Sequence, residues 1–205
     1  MKKSSFEYFA AQTLAGGLAS NRFEQVSKRF GRKMVLEQID WEIHDHEIWH
    51  MKSIGLGKTT LLRLLMGLER PSSGQIITSE SVRFAPVFQE NRLLPIQNAI
   101  ENVRFVCDLD TEEIRSLLCE LIAPEDCEQP VGTLSGGMQR RVAIARALAV
   151  PADILVLDEP FTGLDETNIA RTAQCILKHA ADKTIILSSH VEVNVFPQAK
   201  YLRLG

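Results

Sequence analysis

Two adjacent carboxylates, Asp158 and Glu159, directly follow the apolar residues 154–157. A short run of this kind is typical of a buried parallel strand, and ligands of open α/β sheets bind at the carboxyl ends of such strands. Adjacent carboxylates at that edge can divide two tasks, because one side chain can bind Mg²⁺ while the other orients or deprotonates a water molecule. The pair therefore predicts metal-assisted chemistry at the edge of a parallel sheet.

A second candidate site precedes this strand at Ser135, Gly136 and Gly137. Serine is a good N-cap, and the two glycines leave the first backbone N–H groups of the following helix uncovered. Free N–H groups and the positive end of a helix dipole together form an anion site, most naturally for phosphate. Apolar residues at helical spacing extend this helix to Ala149, and Pro151 ends it.

A third pattern, Gly55-Leu56-Gly57-Lys58-Thr59-Thr60, matches a Walker A phosphate loop that opens a leucine-rich helix. The loop as a whole, with Ser53 and Ile54, is expected to surround phosphate groups with backbone N–H groups. Lys58 is expected to reach the β- and γ-phosphate oxygens, and the Thr59 hydroxyl is expected to face Mg²⁺.

Lys52 departs from this pattern, which has a glycine at the same position. Glycine accepts the backbone angles of a sharp turn, and another residue forced to positive φ costs about 1–2 kcal/mol. Two hypotheses are open. Either the loop is strained and binds weakly, or it is one residue shorter and carries Lys52 in relaxed angles with an added positive charge near the phosphates.

Taken in order, "LSGGMQRRVAIARALA" and "ILVLDEPFTGLD" resemble the signature motif, Walker B motif and D-loop of the ABC (ATP-binding cassette) ATPases. The resemblance covers about residues 22–205. It implies an α/β P-loop fold with a mixed central sheet, an antiparallel β edge and a small helical subdomain inserted at about residues 90–134. Residues 1–21 would form a separate N-terminal extension, either a flexible segment or a short amphipathic helix.

The resemblance also implies roles for residues that the patterns alone leave open. Phe30 would stack on the adenine ring of ATP, Gln89 would contact Mg²⁺ and the attacking water, and His190 would contact the γ-phosphate. Asp158 would bind Mg²⁺ and Glu159 would act as the general base. Members of the family work as dimers in which the phosphate loop of one subunit and the signature motif of the other enclose each ATP.

As a function, the resemblance implies ATP hydrolysis coupled to transport. "NRLLP" followed by "AIENV" is similar to the ATPases of nitrate and sulfonate importers, which usually carry Trp where this chain has Ile96. We therefore expect a second copy of the chain, a membrane permease and a substrate-binding protein as partners, on the inner, cytoplasmic face of the membrane. The alternatives are an ATPase for export or a cell-envelope process, a protein acting on ribosomes or DNA, and a weakly catalytic structural subunit.

The composition supports this class of protein. A net charge of −3 argues against nucleic-acid binding through a broad basic surface, and no apolar run approaches the roughly 20 residues of a membrane span. The four cysteines lack C-x-x-C spacing and are expected to be reduced thiols. His44, His46 and His50 raise the hypothesis of a metal site, which we regard as weaker because no carboxylate or cysteine set completes it.

Overall fold

The computed structural model describes residues 21–52, 57–79, 81–190 and 195–204. The strands are β1 (Asn21–Phe30), β2 (Lys33–Ile43), β3 (Ile48–Lys52), β4 (Ser73–Ile77), β5 (Phe84–Val87), β6 (Ile154–Asp158), β7 (Thr184–Ser188) and β8 (Lys200–Arg203). The helices are α1 (Gly57–Leu65), α2 (Ala99–Arg104), α3 (Thr111–Cys119), α4 (Gly136–Ala149) and α5 (Glu166–His179). Short 3₁₀ helices lie at Pro124–Asp126 and Val131–Thr133.

The strands form a parallel sheet of order β5-β6-β7-β3-β8 and an antiparallel sheet of order β2-β1-β4. The predicted α/β fold with an antiparallel β portion is thus confirmed. Among the described residues the central sheet is parallel rather than mixed as predicted, because the antiparallel strands form a separate sheet. The sequence of residues 22–28 indicates an edge strand, but this prediction is wrong, because β1 pairs with both β2 and β4. Gln25 has positive φ at a bulge in β1, which interrupts the alternation that marks a paired strand.

Residues of the parallel strands alternate between two hydrophobic cores. Leu155 and Leu157 of β6 point into a core with α4 and α5, whereas Ile154 and Val156 point into a core with α1 and the antiparallel sheet. Both faces of the sheet are therefore covered, and every residue of β6 and β7 is buried. This explains why these strands read as continuous apolar runs rather than as alternating ones.

The segment between β5 and α4 is helical, as predicted. The apolar stripe on and after α3, expected to form the core of this segment, is buried: Ile114, Leu117, Leu118, Leu121 and Ile122. Helix α3 begins with a capping box between Asp110 and Glu113. The stripe belongs to the same core as Leu155, so the helical segment is packed onto the sheet layer through α4. That residues 90–134 constitute a separate subdomain remains a prediction.

The described helices show no segment long and apolar enough to cross a membrane.

Gly74 of β4 offers a test of the junction between β1 and β4. Its φ is +78°, and an added Cβ would lie 2.3 Å from the carbonyl oxygen of Gln25. We expect Gly74→Ala to lower the free energy of unfolding by more than about 2 kcal/mol, because the clash adds to the cost of positive φ. Urea denaturation measures this loss.

The matched control is Gly67→Ala, where φ is +68° but nothing lies within 4 Å of the added Cβ. Only the conformational cost of about 1–2 kcal/mol applies there. Equal losses in the two variants would contradict the close approach of β4 to Gln25.

Candidate functional site

The carboxyl ends of β6 and β7 meet the start of α1. Asp158 is the last residue of β6, Ser188 is the last residue of β7, and Gly57 is the first residue of α1. An added Cβ on Gly57 would lie 3.2 Å from the Leu36 side chain, so α1 begins in close contact with β2. The predicted strand–loop–helix arrangement therefore brings the start of the phosphate loop helix to the two carboxylates.

Asp158 is buried, and hydroxyl groups occupy both of its carboxylate oxygens. Thr59 Oγ1 donates to Oδ2 at 2.8 Å, and Ser188 Oγ donates to Oδ1 at 2.6 Å. A threonine hydroxyl and an aspartate carboxylate in contact are the pair that binds Mg²⁺ in P-loop proteins. These donor atoms fit Mg²⁺, which prefers oxygen ligands.

Glu159 turns away from Asp158, because its backbone has a φ of +52°. This left-handed conformation is uncommon for a residue with a side chain, and it is held by the Glu159 N–H, which donates to the Ser188 carbonyl at 3.1 Å. The carboxylate then lies with Oε2 accepting from the backbone N–H of His190 at 3.2 Å. The two carboxylates thus face different partners, as the sequence pattern predicted.

Lys58, which is buried, and His190, whose side chain is 63% exposed, complete a polar cluster around Glu159. Lys58 Nζ lies 3.1 Å from Glu159 Oε1 and 3.0 Å from His190 Nε2, and its side chain is 5% exposed. His190 Nε2 lies 3.3 Å from the same Oε1. Oε1 is buried and has no well-aligned hydrogen-bond donor, although the Lys58 ammonium lies beside it.

Arg140, which no sequence pattern identified, joins this cluster to the segment after β5. One guanidinium nitrogen donates to the carbonyls of Phe88 and Gln89, and the other donates to the carbonyls of Asp158 and Glu159. Burial lowers the pKa of Arg140, while the nearby carboxylates of Asp158 and Glu159 raise it. No local pattern singles out Arg140, because α4 also contains Gln139, Arg141 and Arg146.

Gln89 and the predicted anion site share a cavity of about 570 Å³, lined by Ser135, Gly136, Gly137 and Asp165 among others. Ser135 caps α4 as predicted, its Oγ accepting from the N–H of Met138 at 3.2 Å. Gly137 packs closely, because an added Cβ would lie 3.1 Å from the Gly163 carbonyl, whereas Gly136 faces open space. The role of Gln89 at Mg²⁺ remains a prediction.

Phe30 ends β1 on the antiparallel sheet. Its ring is 46% exposed, and Lys28 Nζ lies 4.7 Å from the ring centroid. The ring is thus accessible for stacking, but its place at an adenine remains a prediction.

Lys52 continues β3 in register with Arg203 of β8, in extended rather than left-handed backbone. Its Nζ lies 4.6 Å from the ring centroid of Tyr201. Thr60 follows Thr59 on α1 and is buried. The predicted loop residues Ser53, Ile54, Gly55 and Leu56 lie outside the described residues.

The three histidines of the weaker metal hypothesis occupy different environments. His50 is buried on β3 with Nε2 3.4 Å from the Ser189 carbonyl oxygen, and burial lowers its pKa. His44 and His46 are exposed near the turn before β3.

Comparison with known proteins gives consistent matches. The family model described as "ABC transporter" matches residues 36–162. A Vibrio cholerae Fe(3+) ions import ATP-binding protein is 35% identical over 82% of this chain and 52% of its own length. An aliphatic sulfonates import ATP-binding protein from Granulibacter bethesdensis is 37% identical over 82% of this chain and 77% of its own. This chain therefore spans about half of the first relative and most of the second.

Solved structures agree with these matches. A Pyrococcus furiosus structure described as an ABC transporter ATP-binding protein has a TM-score of 0.79 and 25% identity, covering 90% of this chain and 98% of its own. A dimeric cassette in a post-hydrolysis state with ADP and phosphate has a TM-score of 0.73 and 25% identity, covering 90% and 96%.

Proposed function

The chain belongs to the ATP-binding proteins of the ABC transporter family, which are ATPases, and we propose that it hydrolyses Mg·ATP to drive import of a small solute through a separate permease. The observation that carries the proposal is the cluster of Lys58, Thr59, Asp158, Glu159 and His190 at the carboxyl edge of the parallel sheet. Import is favoured because the relatives are named as import proteins for Fe(3+) ions and for aliphatic sulfonates.

Thr59 and Asp158 would hold Mg²⁺ through their hydroxyl and carboxylate oxygens. When bound, the ion would offset charge that develops on the phosphate oxygens. Ser188 donates to the remaining Asp158 oxygen at 2.6 Å and so keeps that carboxylate oriented toward Thr59. Lys58 would bind the phosphates with its ammonium group.

Glu159 would orient the attacking water and take its proton. Its Oε1 is the buried acceptor without a well-aligned donor, and its Oε2 is held by the His190 N–H. In the present arrangement Lys58 neutralises this carboxylate at 3.1 Å. Because Lys58 would also bind phosphate, nucleotide binding would withdraw the ammonium from Glu159 and expose the base.

Ser135, Gly136 and Gly137 would contact ATP held by a second copy of the chain. Their cavity also contains Gln89, and it opens beside the carboxylate cluster rather than inside it. Each chain would thus supply half of two sites.

Four large exposed apolar side chains flank α2 and would meet the permease: Leu94, Ile96, Phe105 and Val106.

The alternative functions differ from the proposed one in their partner proteins or in whether ATP is hydrolysed. An exporter or cell-envelope ATPase would share the whole site and differ only in its membrane partner. A structural subunit would bind nucleotide without hydrolysis, which is disfavoured by the contacts that position Glu159 and His190. A substrate-binding protein follows only from the importer proposal, whereas localisation at the inner face of the membrane follows from import and export alike. Purification of the membrane complex with its partners tests both.

Glu159→Gln tests the general base. The variant keeps the shape of the side chain and its contact with His190, so we expect ATP binding to persist and an ATP-bound dimer to accumulate. Turnover should fall about 10²-fold or more, which is typical for loss of a general base. Phosphate release measures turnover, and sedimentation measures dimer. Glu112→Gln, on α3 and exposed, is the control that should retain turnover; wild-type turnover in Glu159→Gln would refute the role.

Gly136→Asp tests the shared site. An added Cβ at this position has nothing within 4 Å in its own subunit, so single-chain ATP binding should be nearly unchanged. The carboxylate should repel the γ-phosphate brought by the other copy, and ATP-dependent dimerisation should be lost. Gly136→Asn has the same size without the charge and should dimerise better. If single-chain ATP binding collapsed instead, Gly136 would have to lie in its own subunit's pocket.

Lys52→Gly tests the altered phosphate loop. Since Lys52 has strand geometry in register with Arg203, glycine should bring no gain, and Mg·ATP should bind equally or more weakly by calorimetric titration. Lys52→Met separates the backbone from the charge, because it retains a long side chain without the ammonium. Several-fold tighter binding by the glycine variant would show that Lys52 strains the loop. Absence of binding in the wild-type chain would overturn the assignment of ATP binding.

A further inference from the structure

A cluster of three possible metal ligands lies at the end of α3 and on α5, and it has no part in the proposed ATP site. Among the described residues, a carboxylate oxygen of Glu120, the thiol of Cys175 and a ring nitrogen of His179 all lie within 4.8 Å of one another. Glu120 is the C-cap of α3, whereas Cys175 and His179 belong to α5. The three side chains differ in type, and each can supply one metal ligand.

The chain positions these donors in two ways. Cys175 and His179 are four residues apart on α5 and therefore share one face of the helix. Arg171, one turn earlier on α5, donates to the backbone carbonyls of Glu120 at 2.6 Å and Cys119 at 2.7 Å. These bonds fix the end of α3 against α5, so that the Glu120 carboxylate is presented to the other two donors.

The Glu120 carboxylate already contacts two side chains of α5. Its Oε1 accepts from His179 Nε2 at 2.9 Å and from Lys178 Nζ at 2.8 Å. Burial opposes ionisation, but the hydrogen bonds from Lys178 and His179 lower the pKa of Glu120 overall. The carboxylate is thus charged and is satisfied by positive or proton-donating neighbours.

Cys175 is the metal ligand that discriminates between cations. Its side chain is buried, at 3% exposure, and burial together with the charge of Glu120 raises the pKa of its thiol to about 12. A sulfur ligand is soft and selects cations such as zinc. Mg²⁺ and Ca²⁺, which prefer oxygen ligands, are therefore poor candidates.

We propose that Glu120, Cys175 and His179 form a Zn²⁺ site that joins the end of α3 to α5. Carboxylate oxygen, thiolate sulfur and imidazole nitrogen are all usual zinc ligands, at about 2.0–2.3 Å from the ion. Tetrahedral ligation at these lengths places ligand atoms about 3.5 Å apart. The Cys175 thiol must therefore approach the other two donors by up to about 1 Å, whereas Glu120 Oε1 and His179 Nε2, now 2.9 Å apart, must separate slightly. Such a movement is within reach of side-chain rotation.

Protons and charges balance in this step. Cys175 loses its thiol proton to solvent, and His179 binds through Nε2 as the neutral ring with its proton on Nδ1. Lys178 moves off the carboxylate into solvent, since its side chain is 64% exposed. One divalent ion then faces two anionic ligands, and the centre is neutral.

Water would complete the tetrahedron. His179 borders a cavity of about 1280 Å³ at the amino-terminal edge of the parallel sheet, so a fourth ligand can enter from that side. The bound ion would tie the helical segment to α5 at the edge of the sheet away from Asp158 and Glu159.

Metal titration of the untagged, chelator-treated full chain tests the site without nucleotide. We expect one Co²⁺ per chain with thiolate-to-cobalt charge-transfer absorption, and displacement of that absorption by one equivalent of Zn²⁺. His179→Gln and Cys175→Ser should each weaken Zn²⁺ binding by more than about 100-fold, because loss of a ligand costs more than the 10–100-fold typical of an outer-shell contact. Lys178→Gln should tighten binding, since it removes the competing ammonium.

The matched control is Cys107→Ser, whose thiol donates to the Val103 carbonyl outside the cluster and whose loss should leave Zn²⁺ affinity unchanged. His179→Gln keeps the test valid if the buried Cys175→Ser substitution unfolds the chain. The proposal is overturned if no charge-transfer absorption develops, or if folded His179→Gln binds Zn²⁺ as tightly as the wild-type chain. Neither result depends on ATP hydrolysis.

Discussion

The buried guanidinium of Arg140 is the constraint on which the geometry of the carboxylate cluster depends. It donates to carbonyls that follow two neighbouring strands, those of Phe88 and Gln89 after β5 and those of Asp158 and Glu159 at the end of β6. An unsatisfied buried carbonyl costs about 1–3 kcal/mol, so Arg140 offsets several such penalties at once. The left-handed turn at Glu159 is stable only because this network and Ser188 hold it on both sides.

Helix α4 links this constraint to the cavity that contains Gly136. Arg140 lies on the second turn of the same helix whose first turn carries the exposed glycines. A displacement at the signature motif would therefore reach the carbonyls of Asp158 and Glu159 through one rigid element. Gly136 and Arg140 lie close in sequence on one helix, so this helix joins the two parts of the site.

Elements with a strong local signal could be predicted from the sequence. The apolar runs of β6 and β7, the Ser135 cap and the stripe of α3 each follow from periodicity or capping alone, and the structure has all of them. Other features depend on partners that are distant in the chain. The pairing of β1 on both sides, the bonds of Arg140 to residues about 50 positions earlier, and the approach of Glu120 to α5 carry no local pattern. Lys52 was ambiguous because its backbone angles depend on pairing with Arg203.

The contact between Lys58 and Glu159 has a consequence for nucleotide binding. Lys58 Nζ lies 3.1 Å from Glu159 Oε1 and would have to move away from it to bind a phosphate group. The phosphate groups of the nucleotide would supply the negative charge that draws the ammonium away. The contact between Lys58 and Glu159 would therefore be present only in chains without bound nucleotide.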